Sequence, residues 1–217
     1  MFMEIWGKSI GLDMDKLSRL EVSEEGRAHY SKRTIDFEFD FPFGRKELWG
    51  LAYRGDYDLS AHMKSSKQSL EYTDPNDQSR KLVPHVIEPS LGVGRTMLAV
   101  MLSAYTEETV GDDTRVVMKF PKHLAPYKIA VLPLSKKDEL VGPSQKIVDA
   151  LSDRWNVTFD ETQAIGKRYR RQDEIGTPYC VTVDFDSLED GAVTVRDRDT
   201  MEQERVKIEE LVKYFEG

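Results

Sequence analysis

Hydrophobic and polar residues alternate most strictly between residues 34 and 41, where every second side chain is apolar. A period of two residues is that of a half-buried β-strand. A Pro-Phe-Gly turn at 42–44 separates this run from a second apolar segment at 46–53. Two such runs around a short turn predict an antiparallel pair of strands.

Less regular patterns predict the other elements of the first 125 residues. They indicate one or two helices in residues 1–28, a polar helix-like segment at 58–67, a turn at 74–77, a strand at 82–87, a helix at 96–105, a loop at 107–113 and a short strand at 116–120. The helix at 96–105 is rich in Met, Leu and Ala, and its apolar stripe is expected to lie in the core. A stiff connector with a proline at each end, 121–126, predicts a domain boundary near residue 125.

After residue 126 the pattern changes to alternating strands and helices. It predicts strands at 128–134, 155–159, 179–185 and 192–196, and helices at 143–151, 167–175 and 206–215. The first strand is almost continuously apolar, which is typical of a strand inside a parallel sheet. The chain is therefore predicted to be α/β, with an antiparallel sheet and helices in residues 1–125 and a compact mixed-sheet domain in residues 126–217.

Composition narrows the class of protein. Of the 217 residues, 39% are hydrophobic and 32% are charged, a balance that suits a soluble globular protein. No apolar run approaches the roughly 18 residues that span a bilayer, and the N-terminal residues do not resemble a signal peptide. The single cysteine, Cys180, excludes an internal disulfide and favours the cytoplasm. The net charge of −8 argues against a protein that coats nucleic acid, and neither DNA nor a membrane is an expected partner.

The segment 84–101 carries the clearest candidate chemistry. An apolar run ends at Glu88, glycines at 92 and 94 form a bend, and Arg95 opens a helical segment. A strand, a glycine turn and a helix N-terminus make a natural anion site, because free backbone N–H groups point at the ligand. Glu88 adds a carboxylate, and Arg95 adds a cation suited to a phosphate. Taken alone, the same pattern also fits a turn that only connects two elements.

This segment resembles motif 3 of class II aminoacyl-tRNA synthetases, in the form found in glycyl-tRNA synthetases. The matching residues run Glu-Pro-Ser-Leu-Gly-Val-Gly-Arg from Glu88 to Arg95. Many bacterial members have Asp where this chain has Gly94, and the glycine form also occurs. The resemblance implies glycine-binding residues and ATP-binding residues within this stretch. They are Glu88, Pro89, Ser90, Leu91 and Gly92 for glycine, and Gly92, Val93, Gly94 and Arg95 for ATP.

The second predicted strand strengthens the resemblance. Its residues Glu47 to Arg54, Glu-Leu-Trp-Gly-Leu-Ala-Tyr-Arg, are similar to a strand of glycyl-tRNA synthetases. By this resemblance Glu47 and Leu48 belong to the ATP site, Glu47 holds Mg²⁺ through ATP, and Arg54 lines the glycine pocket. One carboxylate suffices for Mg²⁺ when phosphates and water supply the other ligands. From the residues alone, a solvated Glu47 and an Arg54 paired with Asp56 or Asp58 also fit.

A basic run is the candidate RNA-binding element. Four of the five residues at 167–171 are cationic, and Tyr169 lies among them. Phosphate contacts combined with aromatic stacking are what a site for an RNA loop requires. A solvated helix face, closed by ion pairs from Arg170 to Asp173 and Glu174, explains the same residues. Residues 126–217 resemble the anticodon-binding domain of glycyl-, histidyl-, prolyl- and threonyl-tRNA synthetases. The resemblance implies tRNA contacts from Lys167, Arg168, Tyr169, Arg170 and Arg171.

The resemblance covers most of the chain but lacks two motifs of the family. Motif 1, which builds the dimer interface, and motif 2, whose arginine grips ATP, are not found in the sequence. The chain is therefore expected to correspond to the C-terminal half of a glycyl-tRNA synthetase, to be inactive by itself, and to expose a sheet edge or an apolar face in residues 1–125. The implied function, a step of protein synthesis, is the ATP- and Mg²⁺-dependent joining of glycine to tRNA(Gly) by a homodimer. The alternative is a non-catalytic synthetase-like subunit that binds RNA.

Overall fold

The computed structural model describes residues 2–216 as an alternation of helices and short strands. In chain order these are α1 (Phe2–Ser9), β1 (Leu17–Glu21), β2 (Arg33–Phe41), β3 (Gly44–Gly55), α2 (Tyr57–Ser66), β4 (Tyr72–Asp74), β5 (Asp77–Leu82), β6 (Val86–Leu91), α3 (Val93–Ala104), β7 (Tyr105–Val110), β8 (Asp113–Met118), β9 (Ile129–Pro133), α4 (Asp138–Ser152), β10 (Val157–Phe159), α5 (Ile165–Ile175), β11 (Tyr179–Val183), α6 (Ser187–Asp190), β12 (Ala192–Asp197), β13 (Gln203–Lys207) and α7 (Leu211–Glu216). Over this described range, no helix combines the length and the apolar character that crossing a membrane requires.

The chain forms two compact units. One is Leu12–Leu102, and the other combines the residues up to Gly11 with those from Ser103 onward. The domain boundary predicted near residue 125 from the proline-flanked connector stays a prediction. The hairpin of β7 and β8 belongs to the same compact unit as the residues that follow it.

Residues 12–102 are built on a four-stranded antiparallel sheet of order β1-β2-β3-β6. The alternation in β2 gives this sheet one apolar face, on which Phe37, Phe39 and Phe41 are buried and Trp49 of β3 lies opposite Phe37. Since successive side chains of a strand point to opposite faces, the acidic residues of β2 lie on the other face. The antiparallel pair predicted from the sequence is thus confirmed.

Two strands of this unit differ from their predictions. β1 lies where only helices are predicted, and its pairing with β2 explains why a short polar segment is extended. β6 does not end at Glu88 but continues through Pro89 and Ser90 to Leu91. Pro89 is tolerated there because β6 lies at the edge of the sheet, next to β3.

The apolar side of α3 is exposed rather than buried. Met97 and Met101 are 60% and 49% exposed, whereas the buried positions of the helix include Thr96 and Ala99. Trp49 Nε1 donates to Thr96 Oγ1 at 3.0 Å, so the side of α3 with small residues packs on the sheet. The core position predicted for the apolar stripe is wrong, while the exposed apolar face expected of residues 1–125 is present.

The other unit contains a five-stranded mixed sheet of order β10-β9-β11-β12-β13. The first three strands in this order are parallel, β12 runs antiparallel to β11, and β13 runs antiparallel to β12. Every residue of β9 is buried because both faces of the sheet are covered. Leu140 and Ile147 of α4 and Leu211 of α7 pack on one face, and Ile165 and Tyr169 of α5 pack on the other. The α/β fold class with a mixed sheet is confirmed.

Predictions for this unit fail where pairing partners or tertiary packing decide the structure. The polar stretch 107–113 is not a loop but the end of β7 and the turn into β8. The helix predicted to start at Pro143 begins at Asp138, so the proline lies inside α4. The residues before α7 form β13, which pairs with β12 rather than extending the helix.

Candidate functional site

The candidate substrate site lies on the polar face of the four-stranded sheet. β6 runs beside β3 so that Glu88 lies opposite Ala52 and Ser90 lies opposite Gly50. Side chains two residues apart share a face, so Glu88 and Ser90 point the same way. Gly50 also lies opposite Asp36 of β2, and this face therefore collects side chains from three strands.

Gly50 provides the space in which these side chains meet. A Cβ built on Gly50 would lie 2.8 Å from Ser90 Oγ and 3.8 Å from carboxylate oxygens of Asp36 and Glu47. The missing side chain thus lets one hydroxyl and two carboxylates converge on a patch of backbone. Any larger residue at this position must displace Ser90.

Arg54 is held from three directions. Its Nε and Nη2 donate to the two carboxylate oxygens of Asp58, each at 2.7 Å. Its Nη1 donates to Glu88 Oε2 at 2.7 Å. The guanidinium also lies over the ring of Tyr30, 3.8 Å from its centroid. A bidentate carboxylate and an aromatic face together fix the orientation of a planar guanidinium.

The charges in this cluster reinforce one another. Hydrogen bonds to Asp58 and Glu88 raise the pKa of Arg54, and the hydrogen bond donated by Arg54 lowers the pKa of Asp58. The Arg54 side chain is 15% exposed and that of Glu88 is 45% exposed, so solvent reaches the ion pair from the Glu88 side. A small zwitterion entering there can replace the pair, with its carboxylate on Arg54 and its ammonium on Glu88.

Carboxylates crowd the neighbouring part of the same face. Burial, together with the charges of Glu47 and Glu38, raises the pKa of Asp36. A divalent cation would relieve this repulsion, so a Mg²⁺ ion bound through ATP fits the residues present. Within residues 2–216, no group of three metal-ligating side chains comes together. Phosphate and water oxygens would therefore supply most of the ligands.

The turn before α3 is open to solvent. Neither Gly92 nor Gly94 has a positive φ, and a Cβ on Gly94 would meet no atom within 4 Å. The bend therefore does not require glycine's special conformations, and the two glycines leave space beside the helix N-terminus. Arg95 donates to the backbone carbonyl of Glu47, which ties the first turn of α3 to β3. That turn contains no acidic residue, so its free N–H groups are available to an anion.

The predicted substrate residues are not equivalent in this arrangement. The side chains of Glu47, Val93 and Arg95 are exposed, whereas that of Leu48 is buried and leaves only its backbone for a ligand. Pro89 and Leu91 alternate with Glu88 and Ser90 along β6, so their side chains lie on the opposite face. Only their backbone borders the site.

Three residues of the site are not among the predicted site residues. Asp36 and Gly50 lie in predicted strands, and the register between those strands, which the sequence does not contain, is what brings them to Ser90. Tyr30 precedes β2 and belongs to no motif, so no sequence signal points to its contact with Arg54.

The predicted RNA contacts all lie on α5, but two of them face the interior. Arg168 is 1% exposed, and its guanidinium donates to four backbone carbonyls. Tyr169 packs against β9 and forms a hydrogen bond with Thr182 at 2.6 Å. Both residues stabilise the fold. In this arrangement neither is placed to bind a phosphate or to stack on a base, which corrects the prediction for these two positions.

The other three predicted contacts lie at the surface. Lys167 is exposed, and the side chains of Arg170 and Arg171 are 39% and 34% exposed. Arg171 donates to Asp160, and Arg170 donates to Asp113 at 3.4 Å. These ion pairs are partly open to water, so the two arginines can still meet a phosphate.

Comparison with known proteins agrees with this arrangement. Residues 128–217 match the family model of the anticodon binding domain. The chain is 54% identical to a glycine–tRNA ligase of Acetivibrio thermocellus over 213 residues, which are 98% of this chain and 46% of the relative. It is 54% identical to that of Clostridium acetobutylicum over 208 residues, 95% of this chain and 44% of the relative. For the glycine–tRNA ligase of Corynebacterium efficiens the identity is 51% over 218 residues, 97% of this chain and 47% of the relative.

These matches include both parts of the molecule. They cover nearly all of this chain, so the sheet that carries Arg54 and Glu88 is as much part of the similarity as the mixed-sheet unit. The chain spans a little under half the length of the relatives it matches. The resemblance to glycyl-tRNA synthetases is therefore confirmed, and within it residues 128–217 are the part that resembles the anticodon binding domain.

Proposed function

We propose that the chain is the part of a glycine–tRNA ligase that carries one wall of the amino-acid activation site together with the anticodon-binding domain. The observation that carries this proposal is the Arg54–Glu88 ion pair at 2.7 Å, on a face shared with Ser90. The whole enzyme would join glycine to tRNA(Gly) with ATP and Mg²⁺. A cytoplasmic location and a homodimer are part of the same proposal.

Glycine would bind as a zwitterion between Arg54 and Glu88. Asp58 and Tyr30 already orient the guanidinium, so little ordering cost remains when the substrate carboxylate arrives. Ser90 occupies the space above Gly50, next to Glu88 on the same face. A side chain on the substrate would compete for that space, and such a clash is an effective way to select the smallest amino acid.

ATP would lie at the open turn between β6 and α3. Arg95 and the N–H groups of the first helical turn offer positive charge to its phosphates. The room left beside Gly94 allows a ligand to approach the backbone closely. Glu47 would hold Mg²⁺, which neutralises phosphate charge when it is bound.

By itself the chain is expected not to activate glycine. Glu47, Glu88, Ser90 and Arg95 are all exposed, so water screens the contacts that would have to stabilise the reacting phosphate. Losing even one preorganised donor in such a site commonly costs about 10²–10³-fold in rate.

A chimaera tests the proposal. In it the 217 residues replace the corresponding 46% of the Acetivibrio thermocellus ligase. We expect glycine-dependent ATP–pyrophosphate exchange. We expect Arg54→Gln and Glu88→Gln each to lower kcat/KM for glycine by about 10²-fold, because the first removes the cation for the substrate carboxylate and the second removes the negative charge for its ammonium. Arg45→Gln is the matched control. Arg45 of β3 forms a similar bidentate pair with Asp40 of β2, but its side chain is 51% exposed.

Two results would count against this assignment. A folded chimaera that binds tRNA but shows no exchange at saturating glycine favours the non-catalytic RNA-binding alternative. Exchange that is unaffected by Arg54→Gln and Glu88→Gln removes these two residues from the glycine site.

A further inference from the structure

A cavity of about 370 Å³ lies in the unit that contains the mixed sheet. Its main lining residues are Lys122, His123, Lys128, Trp155, Tyr179 and Phe215. No residue of α5 lines it, so the cavity is separate from the predicted tRNA contacts. Its size falls within the range of roughly 300–1,000 Å³ that is usual for small-molecule sites.

Aromatic rings form one side of this cavity. The ring centroid of Phe215 lies 5.2 Å from that of Tyr179 and 5.9 Å from that of Trp155, with interplanar angles of 52° and 70°. All three side chains are half-buried. Because the rings brace one another, they offer a preformed surface to a flat aromatic ligand.

Lys128 gives the cavity a positive charge that no carboxylate of residues 2–216 neutralises. Its Nζ donates to the backbone carbonyls of His123 and Ala125 at 2.6 and 2.8 Å. An ammonium has three donors, so one remains for a ligand. Burial alone lowers the pKa of Lys128, and no carboxylate among residues 2–216 forms an ion pair with it. An anion in the cavity would supply the missing counter-charge.

Lys122 has a different role at the rim. Its Nζ donates to Tyr179 Oη at 2.7 Å and to Asp197 at 2.9 Å, and it lies 4.4 Å from the centroid of the Tyr179 ring. Asp197 neutralises its charge, so Lys122 fixes the Tyr179 ring rather than attracting an anion. Of the two lysines in the lining, Lys128 is therefore the one that remains available to an anion.

We propose that this cavity binds a nucleotide, with the base against Tyr179, Trp155 and Phe215 and the phosphate at Lys128. A nucleotide has both features that this lining favours, because its base is a flat aromatic ring and its phosphate carries negative charge. It could come from two sources, a free mononucleotide or an unpaired nucleotide of RNA. The second source rests on the proposed tRNA-binding function, and the first does not.

Nuclear magnetic resonance on the full chain tests the proposal. The chain has three tryptophans, so it gives three indole N–H signals, and Trp155→Phe identifies the one from the cavity. The probes are AMP, CMP, inorganic phosphate and an unstructured RNA tetranucleotide. We expect a saturable shift of the Trp155 signal with the nucleotides, while the signals of Trp6 and Trp49 stay in place.

Matched variants locate the binding groups. Lys128→Ala and Phe215→Leu are each expected to weaken nucleotide binding about tenfold or more, because each removes a charge-assisted hydrogen bond or a stacking surface. Lys136→Ala is the control, since Lys136 is an exposed lysine beyond the other end of β9. Lys128→Arg keeps a cation and is expected to retain binding. The dispersion of the amide spectrum reports whether each variant is folded.

The possible outcomes distinguish the two sources of the nucleotide, and they test this proposal independently of the ligase proposal. Much tighter binding of the tetranucleotide than of AMP assigns the cavity to RNA, and equal binding assigns it to free nucleotides. The proposal is overturned by equal shifts with phosphate alone, by binding that survives both Lys128→Ala and Phe215→Leu, or by no saturable shift in the folded protein. The assay uses neither glycine nor tRNA, so its failure leaves the ligase proposal standing, and an inactive chimaera leaves this one standing.

Discussion

Burial is expected to make the thiol of Cys180 unreactive. It is 1% exposed within β11, and burial raises the pKa of its thiol to about 12. The thiolate is the form that reacts with disulfide reagents. We therefore expect the native protein to resist labelling by an aromatic disulfide reagent at neutral and mildly alkaline pH, and the unfolded protein to be labelled completely.

An exposed thiol provides the control for this labelling experiment. Ser65→Cys places a second cysteine on the surface of α2, where Ser65 is exposed. This variant should take up one label per chain while folded and two when unfolded. Rapid labelling of Cys180 in the native wild-type chain would show that β11 opens to solvent.

Two arginines show how far a single residue can be interpreted from sequence. The partner of Arg54 at Asp58 is foreseeable because the two are four residues apart, and the structure contains that pair. Arg168 lies in a basic run typical of an RNA site, yet it is buried. Its partners are backbone carbonyls of a loop and of β9, which only the folded chain brings together. Charge can be predicted from sequence, but burial of one charge within a charged run cannot.

At the scale of elements, a buried cluster of charged side chains joins the β7–β8 hairpin to α5 and to the mixed sheet of the same unit. Arg115 of β8 is 1% exposed and donates to Asp173 of α5 at 2.8 Å. Its Nη1 donates to Glu108 of β7 at 2.6 Å, and Arg196 of β12 also donates to Asp173, at 3.0 Å. Asp173 thus holds a hairpin, a helix and a sheet strand together. It is not available for the ion pair with Arg170 that the sequence suggests.

Asp173→Asn is expected to lower the free energy of unfolding by about 3–5 kcal/mol, because it leaves the buried guanidinium of Arg196 without its carboxylate and Arg115 with Glu108 alone. Denaturant unfolding of the full chain measures this loss. Asp113→Asn is the control. Asp113 is the partner of Arg170, its side chain is 80% exposed, and no measurable change is expected. A loss below about 1 kcal/mol for Asp173→Asn would mean that water reaches the cluster and screens it.

Elements were predictable where their own side chains decide the structure. β2 and β9 follow from strict alternation and from continuous apolar character, and both are present. β1, β7 and β13 are polar or short, and they are strands because a neighbouring strand supplies their hydrogen bonds. α3 has the apolar stripe predicted from the sequence, but the stripe is exposed to solvent. Whether such a stripe is buried depends on tertiary packing, which the sequence pattern does not determine.

At the scale of the whole molecule, the net charge of −8 opposes binding to RNA. The candidate tRNA surface on α5 is therefore local and rests on Lys167, Arg170 and Arg171. For the candidate substrate site, the resemblance points to Glu88 and Ser90, which share one face of β6, and to Arg54, which donates to Glu88. It does not point to Asp36 or Tyr30, which the strand register and the fold bring to them. The RNA surface could be predicted only in outline, because the sequence cannot separate the outward side of α5 from the inward side.

The chain is expected to bind tRNA weakly and to lose affinity steeply with salt. Each phosphate contact adds roughly −0.7 to −0.9 to the slope of log K against log salt concentration, so the three surface cations predict a slope of about −2. Fluorescence anisotropy with labelled tRNA measures this slope.

Arg170→Glu and Lys167→Glu should each weaken tRNA binding and reduce the slope by about one. Lys146→Glu changes the net charge equally on the exposed side of α4, and it should have a smaller effect because α4 packs on the face of the mixed sheet opposite to α5, and water and salt screen the more distant charge. Binding that is insensitive to salt, or that Lys146→Glu weakens as much as Lys167→Glu, would remove α5 from the interface.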